Sequence, residues 1–502
     1  MRIDKNTTIK LGDRNIVRIK IGDSVIWEKK TEPEIDYFYV ESLGDGNTIS
    51  VVNKGDGDTS DVTPTLEYST DKNTWNTITF DWTSGTHTTE LPILNTGGKM
   101  YFRNNTRKFS NSYDKYITFS SSVSSNVGGD IRTLSNYLDV DSETTPQTGM
   151  FYYLFKNGKI VDASNLRLPY TTLASNCYRS MFYNCTSLTT APTLPATTLA
   201  NSCYCNMFYN CTSLTTAPSL PATTLAGSCC RYMFGGCKAL TTAPELPATT
   251  LAGSCYEYMF RDCTSLTTAP TLPATTLANS CYDSMFYGCT SLVNAPTLPA
   301  TTLVINCYNS MFLGCSSLVN APSLPATTLA ESCYQNMFEN CSKLTSAPEL
   351  PATTLTDYCY RFLFKNCSSL VTPPELPATN LGRYCYYCMF EGCSSLTTAP
   401  ELPATTLISN CYCGMFQNCK ALTTAPELPA TTLKPYCYDS MFYYCTSLKS
   451  ITVYANDISA SNCTKNWLSG VASSGTFRNL GSATYPTDST SGVPTGWTEV
   501  KN

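Results

Sequence analysis

From Cys177 to Cys445 the apolar positions return every 26 residues with no insertion or deletion. One period reads Cys-Tyr-x-x-Met-Phe-x-x-Cys-x-Ser-Leu-x-x-Ala-Pro-x-Leu-Pro-Ala-Thr-Thr-Leu-x-x-x. So strict a period marks a solenoid, in which a coil too small to bury its own apolar face stacks on its neighbours. Leu199, Cys203, Met207 and Cys211 are four apart, which predicts one short helix per coil with these residues on a single face. The residue before the second cysteine is Asn, Gly or Asp (Asn184, Asn210, Gly236, Asp262 and onward), with Tyr444 the exception. These types accept the left-handed conformation that ends a helix. Ser-Leu-Thr-Thr-Ala-Pro then predicts a very short strand, Leu188 inward and Thr189 and Thr190 outward, stopped by Pro192, which has no N–H for a ladder. Eleven such coils at strand spacing predict a rod or shallow arc roughly 50 to 60 Å long.

The flanks break the pattern in informative ways. Residues 151–173 form a degraded first copy, with Leu154-Phe155 in place of Met-Phe. A last copy keeps Cys463 in register and carries Trp467-Leu468 at the Met-Phe position. Atypical end copies cover the open ends of a solenoid. Upstream, segments such as YFYVESL, NTWNTITF and KMYFRN alternate apolar and polar residues. They predict an antiparallel, Ig-like β-sandwich over residues 34–127, with turns at Asp71-Lys72-Asn73 and Gly97-Gly98. Residues 1–33 predict two or three short strands broken at Gly12-Asp13 and Gly22-Asp23, an N-terminal β anchor too small for a core of its own. The expected organisation is therefore a mostly β, multidomain chain with α/β repeats. In order it holds the anchor, the sandwich, a leucine-rich-repeat-type solenoid with end caps over residues 128–470, and a C-terminal cap over 471–502 around Trp497.

Charge narrows the function classes. A formal net charge of -5 with 14% charged residues offers no basic field, so nucleic acid is not an expected partner. Met1 to Trp27 contains no apolar run of signal-peptide length, and no segment approaches the roughly 18 apolar residues of a membrane helix, so neither Sec export nor a membrane partner is expected.

All 27 cysteines lie at or after Cys177. One ladder comprises Cys177, Cys203, Cys229, Cys255, Cys281, Cys307, Cys333, Cys359, Cys385, Cys411 and Cys437, continued by Cys463. The second comprises Cys185, Cys211, Cys237, Cys263, Cys289, Cys315, Cys341, Cys367, Cys393, Cys419 and Cys445. Eight helical residues span about 12 Å, beyond disulfide reach, so the ladders are read as structural: buried free thiols acting as small hydrophobes with a weak donor. There is no pair of CxxC motifs and His87 is the single histidine, so no metal or other cofactor is expected. For the same reason a Ser-His-Asp or Cys-His arrangement would have to use His87, placed in a loop of the sandwich, and the chain is read as non-enzymatic.

Three surface features are candidates for binding. Glu349, Glu375, Glu401 and Glu427 occupy one position of four consecutive coils, and stacking would align their carboxylates to attract a basic partner or calcium, or to form a solvated edge. The tyrosine column at Tyr178 and its equivalents is read as packing against the Phe four residues on. Variable positions such as Arg179, Glu257, Arg361 and Tyr387 would supply specificity on the outer side of the predicted helix.

The coil resembles the BspA-like leucine-rich repeat, whose core AFxxCxxL corresponds to MFYNCTSL at residues 181–188. The resemblance implies a non-catalytic repeat of the kind found in bacterial surface adhesins and in virion proteins of bacteriophages of gut bacteria. The opening IKLGDRNIVRIKIGDSVIW resembles N-terminal pieces of phage structural proteins. Together these imply a virion fibre or decoration protein of head or tail, made in the host cytoplasm and displayed on the virion surface. In that picture residues 1–33 bind other virion proteins, the solenoid contacts a host surface protein or glycan, and the chain is a homo-oligomer. The rival expectation is a bacterial cell-surface adhesin or protein-interaction scaffold.

Overall fold

The computed structural model describes residues 35–58, 62–109, 114–488 and 490–501, together with the backbone of four short strands near the N-terminus. Those four are β1 (Ile9–Leu11), β2 (Arg14–Ile16), β3 (Arg18–Ile21) and β4 (Ser24–Glu28), paired as two antiparallel hairpins, β1 with β2 and β3 with β4. The two or three strands expected there are thus four. The rest of the anchor, and any role for it, lies outside the described residues.

Alternating segments then give β5 (Phe38–Ser42), β6 (Ile49–Gly55), β7 (Thr65–Ser69), β8 (Asn76–Thr79), β9 (Gly85–Glu90), β10 (Lys99–Arg103), β11 (Tyr116–Ser121) and β12 (Ser125–Asp130). β5 and β6 bury every second residue, the pattern of a half-buried sheet. β11, β6 and β9 form one sheet, and β12, β5, β10, β7 and β8 form most of another. The rings of Phe38, Phe102 and Phe119 meet between them, at centroid distances of 4.7 Å for Phe102–Phe119 and 5.2 Å for Phe38–Phe119. The expected turn at Asp71–Asn73 is present, with Lys72 at φ 61° and the Asp71 carboxylate accepting from the Asn73 and Thr74 amides.

A short helix α1 (Thr133–Asn136) and a 3-10 turn (Val140–Ser142) lead into the first coil, whose strand β13 (Ile160–Arg167) pairs in parallel with β12. The second sheet therefore runs β13-β12-β5-β10-β7-β8 and passes without a gap from the N-terminal region into the coil stack. The core is continuous as well. Phe155 lies 6.4 Å from Phe119 and 5.0 Å from Phe182, so the sheet core leads into the phenylalanine column of the coils. The N-terminal sheets thereby cover the end of the solenoid that would otherwise expose its apolar columns.

The helix expected in each coil is absent: among the described residues no helix is assigned after residue 142. In its place runs a ribbon of overlapping turns. In one coil the amides of Cys203, Cys205, Met207, Tyr209 and Cys211 each donate to the carbonyl three residues back, while those of Ser202, Tyr204, Asn206, Phe208 and Asn210 donate to Gly227, Cys229, Arg231, Met233 and Gly235 of the next coil at 2.7–3.0 Å. Every fourth residue is left-handed (Ser202 φ 55°, Asn206 φ 56°, Asn210 φ 59°), as a type II turn requires at its third position. A helix and this ribbon share a four-residue period, so Leu199, Cys203, Met207 and Cys211 align in both. What separates them is the destination of alternate amides, and a neighbour in register supplies carbonyls that an isolated helix lacks. Ser and Asn at the left-handed columns are weak helix formers and good turn residues, which reinforces the choice.

Between β13 and β14 (Thr424–Leu428) the short strand of the coils is reduced to single parallel bridges such as Thr190↔Thr216 and Thr216↔Thr242, and at Thr398 to none. At the C-terminal end full strands return. β14, β15 (Ser450–Val453), β16 (Gly475–Asn479) and β17 (Trp497–Lys501) form a parallel sheet in that order. Trp467 stacks on Tyr438 and Tyr485 and donates to the Gly492 carbonyl, so the last apolar column is covered.

Candidate interaction surface

Each coil leaves two faces to solvent, one made by the Pro-x-Leu-Pro segment and one by the outer side of the turn ribbon. In Pro-x-Leu-Pro the leucine turns inward, with Leu350, Leu376 and Leu402 each 3% exposed, and this turns the preceding residue outward. Glu349, Glu375, Glu401 and Glu427 are accordingly all exposed on one side of successive coils. Proline rings of adjacent coils stand on either side of the row and leave grooves between them. One of about 590 Å³ is lined by Pro373, Pro374, Glu375, Pro377, Pro400, Glu401 and Pro403. Another of about 420 Å³ is lined by Pro348, Glu349, Pro351, Pro373, Pro374 and Glu375. Glu427 lies outside both and instead accepts a hydrogen bond from the Tyr454 hydroxyl at 3.2 Å. The carboxylate row was legible in the sequence. The grooves were not, because the prolines were read as strand breakers rather than as walls.

On the ribbon side, the tyrosine column is core. Tyr178, Tyr282, Tyr360 and their equivalents are at most 2% exposed, and neighbouring rings stack at about 6 Å, as in Tyr282–Tyr308 at 5.8 Å. The residue after each of these tyrosines is the variable one, and it is half-buried at the surface in every coil but that of Cys205, which is buried. Arg231 pairs with Glu257 at 3.0 Å, and Lys365 with Glu391 at 2.9 Å. Asp283 is pushed up to about 6 by burial, assisted by the Glu257 charge and opposed by the Ser284 hydroxyl and Arg231. Arg361 is packed among rings, with its guanidinium carbon 5.7 Å from the centre of Tyr358, 4.7 Å from Phe362 and 5.4 Å from Tyr387.

The cysteines contribute structure rather than chemistry. All are free thiols, and each thiol of the second ladder donates to a phenylalanine carbonyl of the preceding coil, as Cys289 does to Phe260 at 3.1 Å. The same carbonyl already accepts the amide three residues on (Cys263 to Phe260, 3.1 Å), so the thiol fills its second lone pair. Burial pushes the Cys185, Cys237 and Cys445 thiols up to about 12, which keeps them protonated and non-nucleophilic near neutral pH. Among the described residues no three His, Cys, Asp or Glu side chains converge to hold a metal ion.

His87 lies in strand β9 and not in a loop as expected. Its Nε2 is 3.3 Å from both the hydroxyl and the carbonyl of Thr83, and its Nδ1 is 3.5 Å from Asp81. Asp81 also accepts the Thr83 amide at 2.9 Å, so these groups together hold the bend that leads into β9.

The family model for the BspA type leucine rich repeat region matches residues 152–248, 227–371 and 362–487, more than half of the chain. The chain belongs to the BspA-type leucine-rich repeat family. That family is typically non-catalytic. The matched region begins inside the degraded first copy and ends beyond β16, so the ribbon, both cysteine ladders and the proline–glutamate face are all parts of the BspA-type repeat. Among curated proteins no match is found. Among solved structures the chain is similar to one in the "Crystal structure of TLR13-ssRNA13 complex", at 15% identity and a TM-score of 0.24, covering 69% of this chain and 46% of that one.

Proposed function

We propose that this BspA-type protein is an adhesive or protein-interaction scaffold that binds a macromolecular partner along its coil stack. The observation that carries this reading is the proline–glutamate face: a row of exposed carboxylates set between rigid rings, repeated without interruption and grooved between coils. Proline walls lose little entropy when a partner docks, and repetition lets one partner engage several coils at once. In this reading the two N-terminal sheets, an Ig-like sandwich over residues 34–127, hold the first coil in place. The virion placement expected from residues 1–33 gains nothing from the family match, which leaves those residues out, and it ranks behind the scaffold.

A photoreactive residue placed at Glu375 of the full chain, activated on the cells or particles that carry the protein, tests the reading. Repeated capture of one or a few defined surface proteins is expected. Adducts no more specific than those from the same residue placed at Thr88, on β9, would count against it.

A further inference from the structure

Three residues of every coil adopt a left-handed backbone, and in most coils they are Ser, Asn or Gly. Bulky side chains are disfavoured there, because Cβ crowds the following carbonyl. Coils nine and ten, counting the degraded copy as the first, depart from this at four of their six such positions, Tyr358 (φ 58°), Phe362 (φ 57°), Tyr384 (φ 54°) and Cys388 (φ 50°); Tyr153, Tyr232, Tyr258, Tyr436 and Tyr444 are further exceptions in other coils. Backbone outliers gathered in one place point to a selected role rather than to packing. The core needs none of these rings, since its own columns, Tyr360–Tyr386 and Phe364–Phe390, continue beneath them.

The three rings and Tyr387 form one half-buried patch on the ribbon face. Tyr358 stacks on Tyr384 at 5.2 Å, and Tyr387 stands at 79° to Phe362 and 64° to Tyr384. Arg361 sits among them, and among the described residues no carboxylate lies within ion-pair distance of its guanidinium. Its Nε is buried without a hydrogen-bond partner. At the same position of other coils Arg231 is paired with Glu257, while Arg179, its Nε likewise unpartnered, donates to the Asn176 side chain, a contact Arg361 lacks. An arginine held by aromatic rings with its charge unmatched has the make-up of an interface hot spot awaiting an anion.

We propose that Tyr358, Arg361, Phe362, Tyr384 and Tyr387 form a second contact site, separate from the proline–glutamate face, for a protein segment that brings a carboxylate to Arg361 beside an apolar side chain. The site shares with the reading above only the premise that the solenoid is a scaffold.

The test selects a displayed library of random short peptides on the full chain. It then measures the selected peptides on two variants, Arg361→Gln and the triple Tyr358→Ser, Phe362→Asn, Tyr384→Ser. Each replacement already occupies the same position in a sister coil (Gln335, Ser332, Asn336), and thermal melting followed by circular dichroism confirms that both variants fold. The expected result is peptides rich in Asp or Glu next to an aromatic or aliphatic residue, binding each variant at least about tenfold more weakly. Selected peptides without acidic character, or binding both variants as well as the parent, overturn this site and leave the scaffold reading standing. Binding of oligogalacturonate at the patch with no acidic peptide selected overturns the choice of a protein partner. A library that yields no binder to any part of the chain counts against both readings.

Discussion

The middle coils and the C-terminal coils are built on one plan and hold together differently. From the second coil to the tenth, a proline lies one or two residues after the bridging position, and single β-bridges join adjacent coils there from Asp162 as far as Thr372. Their cohesion lies in the turn ribbon, where alternate amides cross to the next coil, and in the stacked Tyr, Phe, Cys and Leu columns. In the last turns of the chain Thr452 and Arg478 stand where the prolines had been, and β15, β16 and β17 pair along four or five residues. β13, at the other end, is also free of proline, and it is the strand that joins β12. Proline thus limits the zipping without forbidding it, since β14 holds Pro426 and still pairs with β15, with a register shift between Thr424 and Glu427. The ends, which must meet something other than an identical coil, are zipped, and the middle is not.

Alkaline titration should separate the cysteine-bearing coils, middle and C-terminal alike, from the N-terminal sheets most sharply. The folded thiols of Cys185, Cys237 and Cys445 keep their protons until about pH 12, whereas the unfolded chain releases them near the ordinary cysteine value of about 8.5. Their contribution is whole below about pH 8.5 and is lost as pH rises toward 12. Denaturant melts at stepped pH should show the coils failing across that window, while the cysteine-free N-terminal sheets, followed through Trp75 and Trp82, persist.

Next in size is the ribbon core. Phe286, fully buried between Phe260 and Phe312 at 5.6 Å, should cost about 3–5 kcal/mol when changed to Ala, read from urea unfolding. Thr452→Pro copies the middle-coil rule into the C-terminal sheet. It should cost about 1–3 kcal/mol and strip hydrogen-exchange protection from residues 475–479 and 497–501, with the middle coils unchanged. Cys289→Ala removes both a packed atom and the donor to the Phe260 carbonyl, for about 1–2 kcal/mol, of which Cys289→Ser recovers the donor but not the packing. The smallest effect is the converse of the proline insertion: Pro296→Ala in a middle coil should cost about 0.5–1 kcal/mol, because the buried ring loses packing while no ladder hydrogen bond is broken. A large loss from Pro296→Ala would place cohesion on the strand side after all.

Much of this was readable from spacing. The period, the buried columns, the left-handed residue before the second cysteine and the degraded copies at Leu154-Phe155 and Trp467-Leu468 all follow from which positions repeat and which do not. The left-handed rule holds even at Tyr444, whose side chain gave no hint of it. The helix was misread because a four-residue spacing fits two backbones, and only the partner of alternate amides distinguishes them. Ser202 and Asn206 carried the missing signal, as poor helix formers at a fixed interval. The merger of the N-terminal sheet with the first coil was also hidden, since a parallel pairing of β12 with β13 leaves no local mark on either sequence. Of the candidate surface, the glutamate row and the variable positions Arg361 and Tyr387 could be named from sequence. Their neighbours across the coil boundary, Pro400 beside Glu375 and Tyr384 beside Tyr358, are 25 or 26 residues away and become neighbours only through stacking.

The crossing amides have a genetic consequence. Since each coil offers the next the same donors, acceptors and apolar columns that it received, recombination between repeats can add or remove whole coils without creating a new kind of junction. The reach of the scaffold, and the number of contact sites it displays, can therefore change by unequal exchange in a single generation, while the two end structures remain as they are.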